Sequence, residues 1–273
     1  MSWGIGMDRK DLQQVIKNEI VSVTKDGAEI SLLVKDFKTQ DILYSHEDTK
    51  EVVSASIIKV PIMLTALEQV QKGKLELDSL IELKDAGILE DTEVFEYGGG
   101  KYTLEELLVW MIIESDNTAT NCLIDLLSME TINTFCKKHS LKSTKLERRM
   151  LDFQAVQEGR NNYTSAGDMA ILYEELYNRT ILTPDLCNTA LGILKRQRHK
   201  QLSLRYIYDD ITVAHKTGSL DNLDHDAGIF YLPNIQYYFG AFVWNAPSNE
   251  YASKWIGRIS KGIYEYYKTN NER

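Results

Sequence analysis

The feature that most constrains the fold is a long helical region that separates two β-rich regions of the chain. Residues 29–35 and 41–45 have the composition and alternation of strands. Residues 211–215, 228–232 and 236–243 show the same pattern near the other end. Between the two regions, apolar side chains recur mostly at helical spacing. The simplest assembly is therefore one antiparallel sheet that takes strands from both ends of the chain.

Helical periodicity also predicts a helix at each end, over residues 8–21 and 251–267. We therefore predict an α+β fold, in which an antiparallel five-stranded sheet is flanked by the terminal helices and interrupted by a mostly helical insertion. The predicted subdomains are an α/β sheet unit (8–55 plus 200–270) and an all-α unit (56–199), with the site at their junction. Residues 140–164 lack sustained periodicity, and so long a loop in a compact domain is usually functional or disordered.

Composition excludes several classes of protein. The 273 residues include 40 acidic and 31 basic side chains, and the formal charge of −9 disfavours binding to nucleic acid or an anionic membrane. No apolar run is long enough to span a bilayer. The five histidines show no metal-ligand spacing, so neither a metal nor another cofactor is expected. Three cysteines, at 122, 136 and 187, are expected to be buried structural thiols. The protein is expected to be a monomer.

The first ten residues lack the apolar core and cleavage site of a signal peptide. As the chain stands, this predicts a cytoplasmic protein. If the sequence is that of a trimmed mature form, the same observation is compatible with an extracytoplasmic protein.

A hydroxyl and an amine lie three residues apart in Ser56-Ile57-Ile58-Lys59, at the start of a predicted helix. On a helix these positions share a face, and the helix N-terminus favours negative charge that develops there. A neutral Lys59 could accept the Ser56 proton if burial and nearby cations lower its pKa. The motif alone is weak evidence, because Ser22-Val23-Thr24-Lys25 has the same pattern. We interpret that second copy as a chance match at a strand-edge turn.

Two further motifs strengthen the interpretation. Ser115-Asp116-Asn117 lies between two predicted helices, and Lys216-Thr217-Gly218 lies at the end of a predicted strand. Each occurs once in the chain. The three motifs in this order are the signature of class A β-lactamases and penicillin-binding proteins.

The chain therefore resembles the class A β-lactamase-type serine hydrolases, whose fold is shared with penicillin-binding D-alanyl-D-alanine peptidases. The resemblance covers nearly the whole length. It implies that Ser56 is the acylated nucleophile, that Lys59 accepts its proton and that Ser115 relays a proton to the leaving nitrogen. It also implies that Lys216 supplies positive charge beside Ser115 and near the substrate carboxylate.

The resemblance implies substrate-binding roles as well. Asn117 would donate to the side-chain amide of the substrate and Thr217 to its carboxylate. The backbone amides of Ser56 and Ser219 would form the oxyanion hole. Tyr97 resembles the aromatic wall of the family, although an exposed loop tyrosine is an equally good interpretation.

The sequence departs from the family pattern in the long loop. The family has a glutamate there that orients the deacylating water, followed four residues later by an asparagine. Alignment puts Met150 at the glutamate position and Gln154 at the asparagine position. Glu147 and Asp152 are the nearest carboxylates; for Asp152 we favour a hydrogen-bond acceptor within the loop.

A second departure follows the Lys216 strand, where residues 219–228 lack the arginine that often holds the substrate carboxylate. His225 could replace it in part, but we favour a partly buried strand-edge histidine. Three functions remain open, all with a β-lactam or a D-alanyl peptide as small-molecule partner. They are a β-lactamase with weak deacylation, a D-alanyl-D-alanine carboxypeptidase or esterase, and a sensor module that stays acylated.

Overall fold

The computed structural model describes residues 7–270, so the first six residues, which contribute to the prediction about a signal peptide, lie outside the described part. In chain order the elements are α1 (Arg9–Lys25), β1 (Glu29–Asp36), β2 (Ile42–His46), β3 (Val52–Val53), α2 (Lys59–Gln71), β4 (Leu80–Leu83), β5 (Gly100–Thr103), α3 (Leu104–Ile113), α4 (Asn117–Leu127), α5 (Met129–Lys138), α6 (Phe153–Gln157), β6 (Tyr163–Thr164), α7 (Ala166–Asn178), α8 (Pro184–Leu194), β7 (Thr212–Leu220), β8 (Leu223–Tyr231), β9 (Gln236–Trp244) and α9 (Asn249–Asn270).

The main sheet has five antiparallel strands in the order β2-β1-β9-β8-β7. The last strand in sequence, β9, pairs with β1 on one side and with β8 on the other. The predicted α+β fold with an antiparallel five-stranded sheet built from both ends of the chain is confirmed. Strand β7 lies at an edge of the sheet, and that edge faces the turn that carries Ser56.

The two faces of the sheet pack against different sets of helices. Along β9, the side chains of Tyr237 and Phe239 join a core formed with α1 and α9, whereas Tyr238 and Phe242 join the core of the central helices. This division follows from the alternation of side chains along a strand. Among the described residues no helix is both long and apolar enough to cross a membrane.

Strands β7 and β8 differ from the prediction. They form one long hairpin whose turn is Asp221-Asn222, so Lys216-Thr217-Gly218 lies inside a strand and not at its end. The first half of β8 is polar, and polar residues such as Asp are depleted in strands, so periodicity did not identify it.

The region around Ser56 begins with a single 3₁₀ turn, Ala55–Ile58, followed by α2. Eleven of the 13 residues of α2 are buried, which makes it the central helix of the molecule. Pro61 lies in its first turn, where the backbone N–H would have no partner within the helix. The second Ser-x-x-Lys copy lies in the last turns of α1, so its assignment to a strand-edge turn was wrong.

The long stretch 140–164 is ordered by side-chain contacts. Asp168, in the first turn of α7, accepts hydrogen bonds from the backbone N–H groups of Lys142 and Ser143 and from the Thr144 hydroxyl. At the end of the loop, β6 pairs with β3. Because β3 immediately precedes the Ser56 turn, the loop is attached to the segment that carries the candidate nucleophile.

Candidate active site

Ser56 lies on the 3₁₀ turn between β3 and α2 and is partly exposed. The turn packs directly against β7: a Cβ atom built on Gly218 would lie 2.9 Å from the Ser56 backbone N and 3.1 Å from that of Ile57. Only a glycine permits this approach without displacement. The Ser56 turn and the Lys216-Thr217-Gly218 strand, 160 residues apart in sequence, therefore meet.

Lys59 is the first residue of α2, and its side chain is fully buried. Its Nζ donates hydrogen bonds to the backbone oxygen of Ser115 at 2.6 Å, to Ser115 Oγ at 3.1 Å and to Asn117 Oδ1 at 2.7 Å. These contacts match the three N–H groups of the ammonium form; the uncharged amine has two N–H groups and a lone pair that can accept a proton. Lys59 of the Ser-x-x-Lys motif is thus hydrogen-bonded to the side chains of Ser115 and Asn117 in the Ser-Asp-Asn motif.

Lys216 approaches the same hydroxyl from the sheet. Its Nζ, also fully buried, donates to Ser115 Oγ at 2.9 Å and to the Thr217 backbone oxygen at 2.7 Å. Ser115 Oγ therefore lies between two lysine amines. Ser115 itself has a φ of +58°, in the left-handed region, which is uncommon for a non-glycine residue and clusters at functional sites.

Burial of the two amines alters their acidity. Burial lowers the pKa of Lys59 to about 7, although the charges of Asp116 and Asp91 act in the opposite direction. Burial also lowers the pKa of Lys216 well below its usual value, and the neighbouring Lys59 lowers it further. At neutral pH a substantial fraction of Lys59 is consequently an uncharged amine, which can accept a proton.

Asp116 and Asn117 hold the junction between α3 and α4. Asp116 caps α4 by accepting from the Ala119 N–H, and its other oxygen accepts from the Thr92 hydroxyl. Asn117 Nδ2 donates to Asp91 Oδ2 at 2.6 Å. Asp91 was not identified from the sequence. The only available signal was its place in an acidic loop, which does not predict a contact with Asn117.

The remaining predicted site residues lie on β7 and in the loop that precedes β5. Thr217 is buried beside Lys216, and Ser219 is exposed two residues further along β7. Tyr97 is 96% exposed, and the neighbouring Gly99 N–H binds Asp85. Residues 89–92 of the same loop form hydrogen bonds with Asp116, Asn117 and Thr118. The placement of Tyr97 beside the substrate stays a prediction.

Met150 is held beside the site by Asn121. The Met150 N–H donates to Asn121 Oδ1 at 2.8 Å, and Asn121 Nδ2 donates to the Met150 backbone oxygen at 3.2 Å. Asn121 follows Asn117 by four residues on α4, so both side chains lie on one face of the helix. The four-residue spacing from Asn117 is the sequence signal that predicts Asn121 on the same face of α4, although Asn121 was not among the predicted site residues. The Met150 side chain is buried with the central helices.

The nearby loop carboxylates are engaged elsewhere. Asp152 accepts from the Ala155 N–H and caps α6, as favoured from the sequence. Glu147 lies 3.7 Å from the Lys145 amine. Gln154 is exposed and donates to Glu158.

His225 is not at a strand edge and is not partly exposed, which corrects the interpretation from sequence. It is fully buried on β8, between β7 and β9, with Nε2 2.9 Å from the Val53 oxygen and Nδ1 2.8 Å from the Asp224 oxygen. Burial lowers its pKa to about 4, so the ring is neutral at neutral pH. Both ring nitrogens thus face backbone carbonyls and neither is directed at a substrate carboxylate.

The three cysteines are free, with Cys136 and Cys187 buried and Cys122 partly buried. Across residues 7–270 no group of three or more His, Cys, Asp or Glu side chains is arranged to hold a metal ion.

Comparison with known proteins agrees with this architecture. The family model of the β-lactamase enzyme family matches residues 10–267. A β-lactamase of Bacteroides uniformis is 28% identical over 233 residues, which cover 77% of each chain. The D-alanyl-D-alanine carboxypeptidase DacF of Bacillus subtilis is 27% identical over 172 residues, 58% of this chain but 43% of that protein.

Among solved structures, a mutant of PBP-A in an acyl-enzyme complex with penicillin G superposes with a TM-score of 0.86 at 24% identity. The match covers 95% of this chain and 97% of PBP-A. The fold and the family match define the class of the protein, a β-lactamase-like serine hydrolase. The chain belongs to the β-lactamase enzyme family, and the resemblance stated from its three motifs is confirmed.

Proposed function

We propose that the chain opens the β-lactam ring through an acyl-enzyme on Ser56 and releases the product slowly, because Met150 stands in place of the water-activating glutamate. The observation that carries the proposal is the position of Ser115 Oγ between the amines of Lys59 and Lys216, beside the Ser56 turn. The proposal puts the site at the junction of two subdomains, residues 8–55 plus 200–270 and residues 56–199.

In the acylation step, Ser56 Oγ forms a bond to the lactam carbonyl carbon while the bond from that carbon to the ring nitrogen breaks. Neutral Lys59 accepts the Ser56 proton, which its lowered pKa of about 7 permits. A proton then passes through Ser115 to the ring nitrogen. The Ser115 oxygen accepts hydrogen bonds from both lysines, which leaves its own proton free to be donated.

The remaining residues bind the substrate in the proposal. Backbone N–H groups of Ser56 and Ser219 stabilise the oxyanion, and removal of one such donor typically costs about 10²–10³ in rate. Protonated Lys216 and the Thr217 hydroxyl bind the substrate carboxylate, whose negative charge in turn favours the protonated form of the lysine. Asn117 Nδ2 carries two protons, one of which is donated to Asp91, so the other is left for the amide carbonyl of the substrate.

Slow release follows from the chemistry of position 150. Hydrolysis of the ester on Ser56 needs a water molecule from which a base removes a proton. A thioether cannot act as that base, and Asp152 and Glu147 are bound within the loop or to its neighbours. The acyl-enzyme is therefore expected to accumulate.

The test is intact-mass spectrometry over time after benzylpenicillin is added to the whole protein. We expect an adduct with the mass of one penicillin, located on Ser56 and lost slowly. The Ser56→Ala variant is expected to form none. Ser22→Ala, which removes the exposed serine of the other Ser-x-x-Lys copy on α1, is the matched control and should acylate normally. Absence of an adduct in the wild-type protein would refute the proposal.

A D-alanyl-D-alanine carboxypeptidase is the second candidate, and Met150 favours it because no carboxylate occupies that position. The similarity to DacF agrees with it. Release of D-alanine from a peptide ending in D-alanyl-D-alanine, abolished by Ser56→Ala, would support this function. A lasting penicillin adduct, without any released product from either substrate, would instead identify a non-turnover sensor.

A further inference from the structure

The loop between β4 and β5 carries an unusually one-sided charge. Residues 84–99 contain five carboxylates and one basic residue, Lys84, at the start of the loop. Four of them lie within the short segment 90–96, and one of these four, Asp91, is the residue that binds Asn117. Asp91 therefore brings a carboxylate to the Asn117 side of the site, while Lys216 approaches Ser115 from the β7 side.

Hydrogen bonds of Leu89 and Thr92, which lie before and after Asp91 in the sequence, fix the backbone around Asp91. The Leu89 N–H donates to the Thr118 hydroxyl at 2.9 Å, and the Thr92 hydroxyl donates to Asp116. Both partners belong to the start of α4. The carboxylate is thus fixed next to the Asn117 amide and is also exposed, so it is accessible to a molecule that binds in the cleft.

From this geometry we infer that Asp91 is a specificity-determining residue, which favours acyl groups with a positive charge close to the amide that Asn117 binds. The inference rests on the proposed function. Asn117 Nδ2 donates one proton to Asp91, and its other proton is available to the substrate. The substrate amide and the Asp91 carboxylate would therefore bind the same nitrogen and lie close together. An ammonium on the carbon next to that amide would approach Asp91, and a carboxylate there would be repelled.

The two ends of the cleft then have opposite charge preferences. The carboxylate of the substrate is attracted to the Lys216 end, and a cationic nitrogen on the acyl group is attracted to the Asp91 end. The preferred substrate is therefore a zwitterion, such as a β-lactam or a peptide whose acyl group carries a free amine.

Three penicillins test this inference because they share one phenylacetyl scaffold. At the carbon next to the side-chain carbonyl, benzylpenicillin has hydrogen, ampicillin an amine and carbenicillin a carboxylate. The second-order rate constant of acylation is measured for each penicillin by mass spectrometry, at a pH below the pKa of the ampicillin amine. We expect the order ampicillin, benzylpenicillin, carbenicillin from fastest to slowest.

The informative variant is Asp91→Asn, which keeps an oxygen acceptor for Asn117 and removes the charge. We expect the ratio of the ampicillin rate to the benzylpenicillin rate to fall by about threefold to fivefold, the effect of one exposed charge pair. The ratio of the carbenicillin rate to the benzylpenicillin rate should rise. Glu96→Gln removes an exposed carboxylate from the same loop and is expected to leave both ratios unchanged. Added salt should reduce the ampicillin preference of the wild-type protein, because exposed charges are screened.

If Asp91→Asn leaves both rate ratios unchanged, the inference is wrong and the proposed function is unaffected. An equal loss of rate for all three penicillins would also overturn it, since Asp91 would then act only by orienting Asn117. If none of the penicillins acylates Ser56, the proposed function fails and the inference with it.

Discussion

The close approach of Gly218 to the Ser56 turn allows one prediction to be worked out in detail. In Gly218→Ala the new Cβ would lie 2.9 Å from Ser56 N, 3.1 Å from Ala55 Cβ and 3.1 Å from Ile57 N, whereas ordinary contacts begin at 3.4 Å. The strand and the turn must therefore move apart by half an ångström or more. Two of the three atoms belong to the backbone, so no flexible side chain can absorb the movement.

The expected result is a loss of acylation by about 10²-fold, because displacement of reacting groups by up to an ångström has effects of this size. The displaced groups include the Ser56 N–H, a proposed oxyanion donor, whose misplacement adds to the loss. The φ angle of Gly218 lies outside the left-handed region, so alanine introduces no backbone strain of its own. Overpacking is expected to lower the free energy of unfolding by about 1–3 kcal/mol.

The assay is the rate of adduct formation with benzylpenicillin, measured alongside thermal unfolding. Gly192→Ala is the control, because a Cβ on Gly192 in α8 would meet nothing within 4 Å. It should acylate normally and unfold at the same or a slightly higher temperature, since alanine is the better helix former. Acylation of Gly218→Ala at the wild-type rate would show that Ser56 and β7 do not form one site.

Three further predictions concern Lys59, Met150 and Asn121. The acylation rate should rise with pH and level off above about pH 7, because neutral Lys59 is the base and its pKa is about 7; a flat profile across this range would exclude that role. Met150→Glu should shorten the lifetime of the adduct by about 10²-fold or more, the usual contribution of a general base, and Met150→Gln, of similar size but without the charge, should not; equal lifetimes would mean that position 150 does not face the ester. Asn121→Ala should lower the free energy of unfolding by about 2 kcal/mol, measured with urea, because both Met150 backbone groups lose their buried partner; an unchanged value would argue against this link.

The sheet and its terminal helices could be predicted because their apolar residues repeat at strand or helix spacing. The first half of β8 could not be predicted from the spacing of apolar residues. Leu223-Asp224-His225-Asp226 contains three polar residues, yet all four are buried. His225 and Asp226 are tolerated there because they find partners in distant segments, such as the Val53 oxygen and the Ser203 hydroxyl. Local sequence contains no information about those partners.

The candidate site shows the same limit. Ser56, Lys59, Ser115 and Lys216 could be named because three short motifs occur together in a recognised order. Tyr97 was chosen by analogy with an aromatic wall and stays a prediction; the part of its loop that the hydrogen bonds attach to the start of α4 is residues 89–92. Asp91 is one of many exposed acids and became visible only when the structure placed it against Asn117.

The position of β9 also has a consequence for how the protein is made. During synthesis, β1 and β2 leave the ribosome about 190 residues before β9, the strand that fills the gap between them and β8. Until then one long side of β1 has no partner and remains open to pairing with another chain. A nascent chain that stops short of residue 236 would expose that side permanently, and we expect such fragments to aggregate.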